Sequence, residues 1–90
     1  MKRHPFLEVT YRKGKPFAGY LNLRKPPEGS PCRTEEIRPG ILIDLAPDGL
    51  PVGIEFLSPG RVTAHDIDAI RRYLREEDLP AEDLAPIMAK

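Results

Sequence analysis

Hydrophobic and polar side chains alternate along much of the chain with the two-residue period that is typical of half-buried strands. The clearest case is residues 41–57, ILIDLAPDGLPVGIEFL. Two β-rich runs are joined there by Ala46-Pro47-Asp48-Gly49, which suits a turn because Pro47 fixes its φ and Gly49 accepts a left-handed conformation. We therefore predict a β-hairpin, around which the rest of the chain is organised.

The register of this hairpin is predicted by placing its aliphatic side chains on one face. The positions that then face one another are Leu45 with Leu50, Ile43 with Val52, and Ile41 with Ile54. A slip of one residue would move Gly53 and Glu55 onto the apolar face, so that register is rejected. Pro51 has no N–H to donate, which predicts a bulge or a sheet edge at the start of the second run.

Alternation predicts three further strands, at residues 7–12, 17–23 and 32–37. Residues 13–16 (KGKP) supply a turn between the first two. Phe17 is expected on the same side as Leu21 and Leu23. Gly19 interrupts the second strand and predicts a bulge or a close approach of another part of the chain.

A helix is predicted at residues 63–77. Thr63 is a suitable N-cap, and Asp66 lies where the partner of a capping box is expected. An apolar stripe follows at helical spacing, formed by Ala64, Ile67, Ile70 and Leu74. Because such a stripe must be buried, we expect the helix to pack on the apolar face of the hairpin.

Together these elements predict an α+β fold in a single domain of residues 1–90. An antiparallel sheet of four to five strands (residues 6–57) carries one C-terminal helix on one face, followed by a loose segment at residues 79–90. The pattern leaves Leu42 and Leu57 on the opposite face with Tyr20 or Phe6 beside them. Apolar groups on the uncovered side of a thin sheet predict an interface.

The charged residues are balanced in number but unevenly distributed along the chain. Lys and Arg number 14, as do Asp and Glu. Residues 1–33 hold eight basic and two acidic side chains, a net of +6, whereas residues 34–90 hold six basic and twelve acidic side chains, a net of −6. The favoured interpretation is that the oppositely charged parts are neighbours, within one fold or between subunits.

Candidate chemistry is sparse. His4, His65 and Cys32 lie at scattered positions without the spacing of a zinc site, so no metal, cofactor or catalytic residue is predicted. In the predicted register Asp44 and Glu55 are offset by four residues, or about 13 Å, too far for an acid–base pair. One cysteine and no long apolar run are typical of a cytoplasmic protein without a membrane span.

The first predicted hairpin is the one basic region with interleaved aromatic residues. Five basic side chains in and beside this hairpin are weak candidates for contact with an anion: Arg12, Lys13, Lys15, Arg24 and Lys25. Aromatic and basic side chains on strands can bind single-stranded nucleic acid. A solvated hairpin whose aromatic side chains belong to the core is the favoured alternative.

Several of these segments together resemble a known family. They are residues 20–23 (YLNL), residues 40–44 (GILID), a turn ending in Asp48-Gly49, and residues 52–57 (VGIEFL). In this order they resemble the small prokaryotic proteins of the domain-of-unknown-function 2283 family. The resemblance implies a compact sheet domain without an assigned reaction. It implies no catalytic residues.

The sequence therefore favours a non-enzymatic interaction module that self-associates through its sheet. A homodimer is the favoured assembly, and another small protein is the alternative partner. Nucleic-acid or anion binding by the basic hairpin is the second hypothesis.

Overall fold

The computed structural model describes residues 5–25, 28–29, 31–74 and 84–88. These residues form five strands, an α-helix and a short 3-10 helix: β1 (Phe6–Arg12), β2 (Lys15–Asn22), β3 (Arg33–Arg38), β4 (Ile41–Leu45), β5 (Pro51–Phe56), α1 (Ala64–Leu74) and the 3-10 helix (Ala85–Ile87). The strands make one antiparallel sheet. The predicted α+β class and the five-stranded sheet are confirmed.

The strand order is β1-β2-β5-β4-β3. Strands β3, β4 and β5 form a meander, and the β1–β2 hairpin adds to its β5 side. The chain therefore crosses from one half of the sheet to the opposite edge between β2 and β3. Strand β5 lies at the centre, paired with β2 on one side and β4 on the other.

The predicted register of the β4–β5 hairpin is wrong by two residues. Ile41 pairs with Phe56 and Ile43 with Ile54. A shift of two residues leaves every side chain on its original face, so the hydrophobic pattern cannot detect it. Near the turn the pairing becomes irregular, with Leu45 opposite Pro51. The bulge expected from the missing N–H of Pro51 is confirmed.

One face of the sheet carries the hydrophobic core. Buried side chains from β2, β4 and β5 meet side chains from α1 and the 3-10 helix; the largest that are fully buried are Phe56, Leu21, Ile43, Ile54, Ile70, Leu84 and Ile87. Among the strands, α1 lies nearest β3 and the 3-10 helix nearest β2. The hydroxyl of Tyr73 donates a hydrogen bond of 2.6 Å to Glu35, which ties α1 to β3. Among the described residues, no helix is long and apolar enough to cross a membrane.

The start of α1 has the predicted capping box. The N–H of Asp66 donates to Thr63 Oγ1 at 3.2 Å, and the N–H of Thr63 donates to Asp66 Oδ2 at 3.0 Å. Arg38 adds an ion pair of 2.9 Å to the same carboxylate. These contacts fix the first turn of α1 beside β3. The predicted helix residues 75–77 lie outside the described residues.

Residues 84–88 differ from the loose segment expected at residues 79–90. Leu84 and Ile87 are 1% and 0% exposed and belong to the core. The carbonyl of Ile87 accepts hydrogen bonds from Gly60 (2.7 Å) and Val62 (3.3 Å). The apolar pair is three residues apart, so one turn of 3-10 helix places both on the same side. Residues 79–83 and 89–90 lie outside the described residues.

The close approach predicted at Gly19 is also explained by this segment. A Cβ at Gly19 would lie 3.1 Å from Cγ2 of Ile87. The missing side chain therefore leaves room for Ile87 over β2.

Phe17 departs from the predicted side of β2. The β1–β2 pairing shifts so that Thr10 faces Ala18 while Tyr11 faces Pro16, and Phe17 is the extra residue. Its side chain is 50% exposed. The neighbouring strand β5 does not extend as far as Phe17, because it pairs with β2 only at residues 19–22. The end of the β1–β2 hairpin therefore extends beyond the core.

We expect Asp66→Ala to lower the free energy of unfolding by about 1 kcal/mol at neutral pH, since it removes the carboxylate that accepts from the Thr63 N–H and pairs with Arg38. The cap N–H of Thr63 is the main cause of a lowered Asp66 pKa, with Arg38 adding to it. Because the pKa is lowered in the folded state, Asp66 stabilises the fold at pH values above the ordinary pKa of its carboxyl group, 3.8, and this stabilisation is lost as the pH falls through the lowered pKa.

Urea unfolding of both proteins from pH 7 to pH 2.5 is the measurement. The difference between wild type and variant should shrink below about pH 4. Asp68→Ala, an exposed change on the same helix, is the matched control and should have little effect. An equal loss of stability in both variants would contradict the assignment.

Candidate docking face of the sheet

The face of the sheet opposite the core is not covered by α1 or the 3-10 helix, and we call it the open face. Two neighbouring rows of residues, one from each strand in spatial order, define it. The first row is Glu8, Tyr20, Glu55, Leu42 and Glu36. The second row is Phe6, Asn22, Gly53, Asp44 and Thr34. Alternation along each strand directs these side chains away from the core.

Four of these ten residues are acidic: Glu8, Glu36, Asp44 and Glu55. Neither row contains a Lys or an Arg. We call these four residues the acidic band. The acidic band could not be predicted from the sequence, because its members come from four strands and only the strand order places β1 on the same sheet face near β5. The available signal was that each acidic residue occupies an outward position in its own strand.

Tyr20 crosses the open face diagonally. Its hydroxyl donates a hydrogen bond of 2.8 Å to Asp44 Oδ2, two strands away. Thr34 donates to the other oxygen of that carboxylate at 2.6 Å. Partial burial of the phenol, and then the hydrogen bond to Asp44, raise the pKa of Tyr20 above its ordinary value. Tyr20 therefore stays protonated as a donor at neutral pH.

Gly53 makes this path possible. A Cβ at Gly53 would overlap the hydroxyl oxygen and Cζ of Tyr20 and would lie only 2.6 Å from Cε2 of its ring. These separations are all well inside van der Waals contact, so the phenol lies directly on the backbone of β5. An aromatic side chain over a strand glycine restores packing that the glycine itself cannot provide. The VGIE segment (residues 52–55) thus provides the glycine on which the Tyr20 ring packs.

A hollow lies on the open face next to Tyr20. It is lined by Glu8, Thr10, Ala18, Gly19, Tyr20 and Glu55 and has a volume of about 270 Å³. Its lining combines the small side chains of Thr10 and Ala18 with two carboxylates and a phenol. Asn22 donates a hydrogen bond of 2.8 Å to Glu8 and holds that carboxylate in place. We call this feature the acidic hollow.

Two of the three predicted interface residues lie together on this face. Tyr20 and Leu42 stand in the same row, separated only by Glu55, and both are half-buried. Leu57 follows the end of β5, donates its N–H to the carbonyl of Gly40 at 2.9 Å, and has a side chain that is 50% exposed. It is therefore beside the open face instead of within the two rows.

The distance predicted between Asp44 and Glu55 is wrong, because it used the wrong register. Asp44 faces Gly53 and Glu55 faces Leu42, so the offset is two residues, or about 7 Å along the strands. Distance alone therefore does not exclude Asp44 and Glu55 as an acid–base pair. Both oxygens of Asp44 already accept hydrogen bonds, from Tyr20 and Thr34. This arrangement fits a structural carboxylate.

The candidate anion-binding residues fall into two separate groups. Arg12, Lys13 and Lys15 surround the β1–β2 turn, and we call them the basic tip. Arg24 and Lys25 follow the other end of β2, roughly 30 Å away for nine residues of extended chain. The structure therefore does not unite the five residues in one surface.

The basic tip has an ordered conformation. Lys13 and Gly14 both have positive φ, 54° and 76°, as expected for a two-residue hairpin turn. The Arg12 guanidinium lies 4.2 Å from the centroid of the Phe17 ring. Tyr11 and Phe17 are 57% and 50% exposed. These two aromatic side chains therefore do not belong to the core, contrary to the favoured alternative.

The remaining candidate residues do not form one site, although Cys32 lies close enough to Tyr20 to contribute to its raised pKa. His65 is exposed in the first turn of α1, and Cys32 is exposed before β3. His4 lies outside the described residues. Among the residues that the structure describes, no group of three His, Cys, Asp or Glu is placed to hold a metal ion.

Residues 18–58 match the family model described as Protein of unknown function (DUF2283). This confirms the resemblance predicted from the sequence, and the matched segment includes Tyr20, Leu42, Gly53 and Glu55. No curated protein and no solved structure matches the chain significantly.

We expect Gly53→Ala to displace Tyr20 from β5 and to break its hydrogen bond to Asp44. The cost should be about 1–3 kcal/mol of unfolding free energy, as for other overpacked sites. In a Tyr20→Ala background the same change should cost much less, because the clashing side chain is gone.

Chemical denaturation of the wild type, both single variants and the double variant measures this coupling. Near-ultraviolet circular dichroism gives a second readout of the Tyr20 environment. If Gly53→Ala were equally destabilising with and without Tyr20, the packing of Tyr20 on Gly53 would not be its cause.

Proposed function

We propose that this protein, which carries the DUF2283 match, is a non-catalytic interaction module that self-associates through the open face of its sheet. The observation that carries the proposal is the composition of that face. Half-buried Tyr20, Leu42 and Phe6 lie in rows with carboxylates. Apolar groups surrounded by polar ones are typical of protein-interaction surfaces.

The ordering of Tyr20 supports the same function. Its phenol is fixed at both ends, by its strand and by Asp44, before any partner binds. A side chain that is already immobilised loses little conformational entropy on association. Tyrosine is also among the residues enriched at energetically important interface positions.

The size of the open face limits the affinity. Five strands about 4.8 Å apart and about 20 Å long offer roughly 500 Å² per copy. Stable interfaces bury about 800 Å² from each partner. We therefore expect weak association, in the micromolar range or weaker, in which each contact has a measurable effect.

Charge further restricts how two copies can meet. If the acidic bands lay directly over one another, four carboxylates would face four others at short distance. Like charges brought together at an interface cost several kcal/mol. Two copies must therefore be offset, so that the acidic band of each meets another part of its partner.

We expect the wild type to show concentration-dependent association in sedimentation equilibrium and light scattering. Leu42→Lys places a charge in the middle of the first row and should weaken association at least about tenfold, while leaving the fold intact.

Leu50→Lys is the control, because Leu50 is 47% exposed in the β4–β5 turn, away from the open face. It should leave association unchanged. A protein that remains monomeric at all concentrations, or that associates equally well with Leu42→Lys, would count decisively against the proposal.

The exposed aromatics of the basic tip support a second candidate function, weak binding of single-stranded nucleic acid. Tyr11 and Phe17 lie beside Arg12, Lys13 and Lys15 and are open to solvent. Aromatic side chains stack on bases while cations neutralise phosphates. The total charge at the tip is small, so any affinity should be low.

Fluorescence anisotropy with a labelled oligonucleotide tests this candidate. Binding should weaken steeply between low and physiological salt. It should be lost when Lys13 and Lys15 both become Glu, and it should be nearly unaffected by Lys25→Glu at the far end of the hairpin. Absence of binding at low salt would eliminate this candidate.

A further inference from the structure

We propose that the acidic hollow is filled by Arg12 of a second copy of this chain, and that the contact is reciprocal. Each copy would insert its Arg12 between Glu8 and Glu55 of its partner. The inference rests on the self-association proposed above, and it specifies the contact that orients the two copies.

The hollow has the chemistry that a guanidinium requires. Glu8 and Glu55 lie on the two strands that flank Tyr20, and all three residues line the hollow, so a side chain that enters it is close to two carboxylates and a phenol. Arginine combines ion pairs with stacking on aromatic rings. The volume of about 270 Å³ is just below the range of small-molecule pockets, which suits a single inserted side chain.

Both partners in this contact are available. In the part of the chain that the structure describes, neither Glu8 nor Glu55 forms an ion pair. The guanidinium of Arg12 contacts the ring of Phe17 and also forms no ion pair there. One chain therefore presents both a cation and an acidic recess that remain to be neutralised.

The spacing along β1 allows the two contacts to form at once. Glu8 and Arg12 are four residues apart on one strand, or about 14 Å, and alternation directs both toward the open face. Thr10 lies midway between them. A twofold axis that crosses the strands at Thr10 places Arg12 of each copy over Glu8 of the other.

Such an arrangement also removes the charge conflict of a direct overlay. Each Glu8 then faces a cation instead of another carboxylate. The residues nearest the axis, Thr10 and its strand partner Ala18, are small and permit a close approach. Because the contact is the same on both copies, it closes as a dimer and leaves no repeating surface. Lys13 and Lys15 extend the positive charge at each end.

Charge reversal with mixing provides the test. Arg12→Glu alone and Glu8→Arg alone each place like charges in contact, so each variant by itself should associate at least about tenfold more weakly than wild type. An equimolar mixture should recover association, because the mixed pair contains one Arg12–Glu8 contact and one reversed contact. Sedimentation equilibrium measures the association of each variant alone and, with one variant labelled, the association of the two in the mixture.

Controls separate this inference from the proposed function. Lys25→Glu makes the same charge change away from the tip and should leave association as in wild type. Circular dichroism and urea unfolding establish that each variant is folded. High salt should weaken the wild-type dimer and the mixed pair alike.

Each outcome decides the matter. Recovery on mixing supports the reciprocal Arg12 contact. If the wild type associates and depends on Leu42, but neither reversal changes its affinity, the contact is wrong and self-association stands. If both reversals weaken association and mixing does not recover it, the pairing of Arg12 with the hollow is wrong. A strictly monomeric wild type overturns both proposals.

Discussion

The structure depends on the pairing of β5 with a strand on each side. Its inward residues Ile54 and Phe56 are fully buried, and its outward residues Gly53 and Glu55 face the opposite surface. The same six-residue strand therefore supplies the centre of the core and the centre of the open face. A shift of its register by one residue would turn its buried side chains to the open face and its outward residues to the core. The fold therefore does not tolerate such a shift.

Period-two alternation was sufficient to predict which side chains of β4 and β5 share a face, including Ile43 with Ile54, but it failed at Phe17, where the β1–β2 pairing shifts. It could not distinguish registers that differ by two residues, and the four-residue offset assumed for Asp44 and Glu55 failed for this reason. The helix start at Thr63 was predictable because a capping box is a local signal. The packing of Leu84 and Ile87 was not, since their partners, such as Gly19, are far away in sequence.

The candidate site, too, could be predicted from the sequence only in part. Tyr20 and Leu42 were predicted from the residues left over after the core was assigned. The acidic band and the acidic hollow required the strand order, because Glu8 and Glu55 become neighbours of Tyr20 only when β2 lies between β1 and β5. No local pattern contains that information. Conversely, the sequence grouped Arg12 with Arg24 although they stand at opposite ends of β2.

The position of Tyr20 gives the protein a built-in optical reporter. The chain contains three tyrosines and no tryptophan, so its intrinsic ultraviolet emission comes from phenol groups alone. One of these lines the acidic hollow with its hydroxyl already bound to a carboxylate. Whatever enters that recess alters the polarity around a chromophore, so occupancy can be followed by emission from the unlabelled chain, with Tyr20→Phe as the blank.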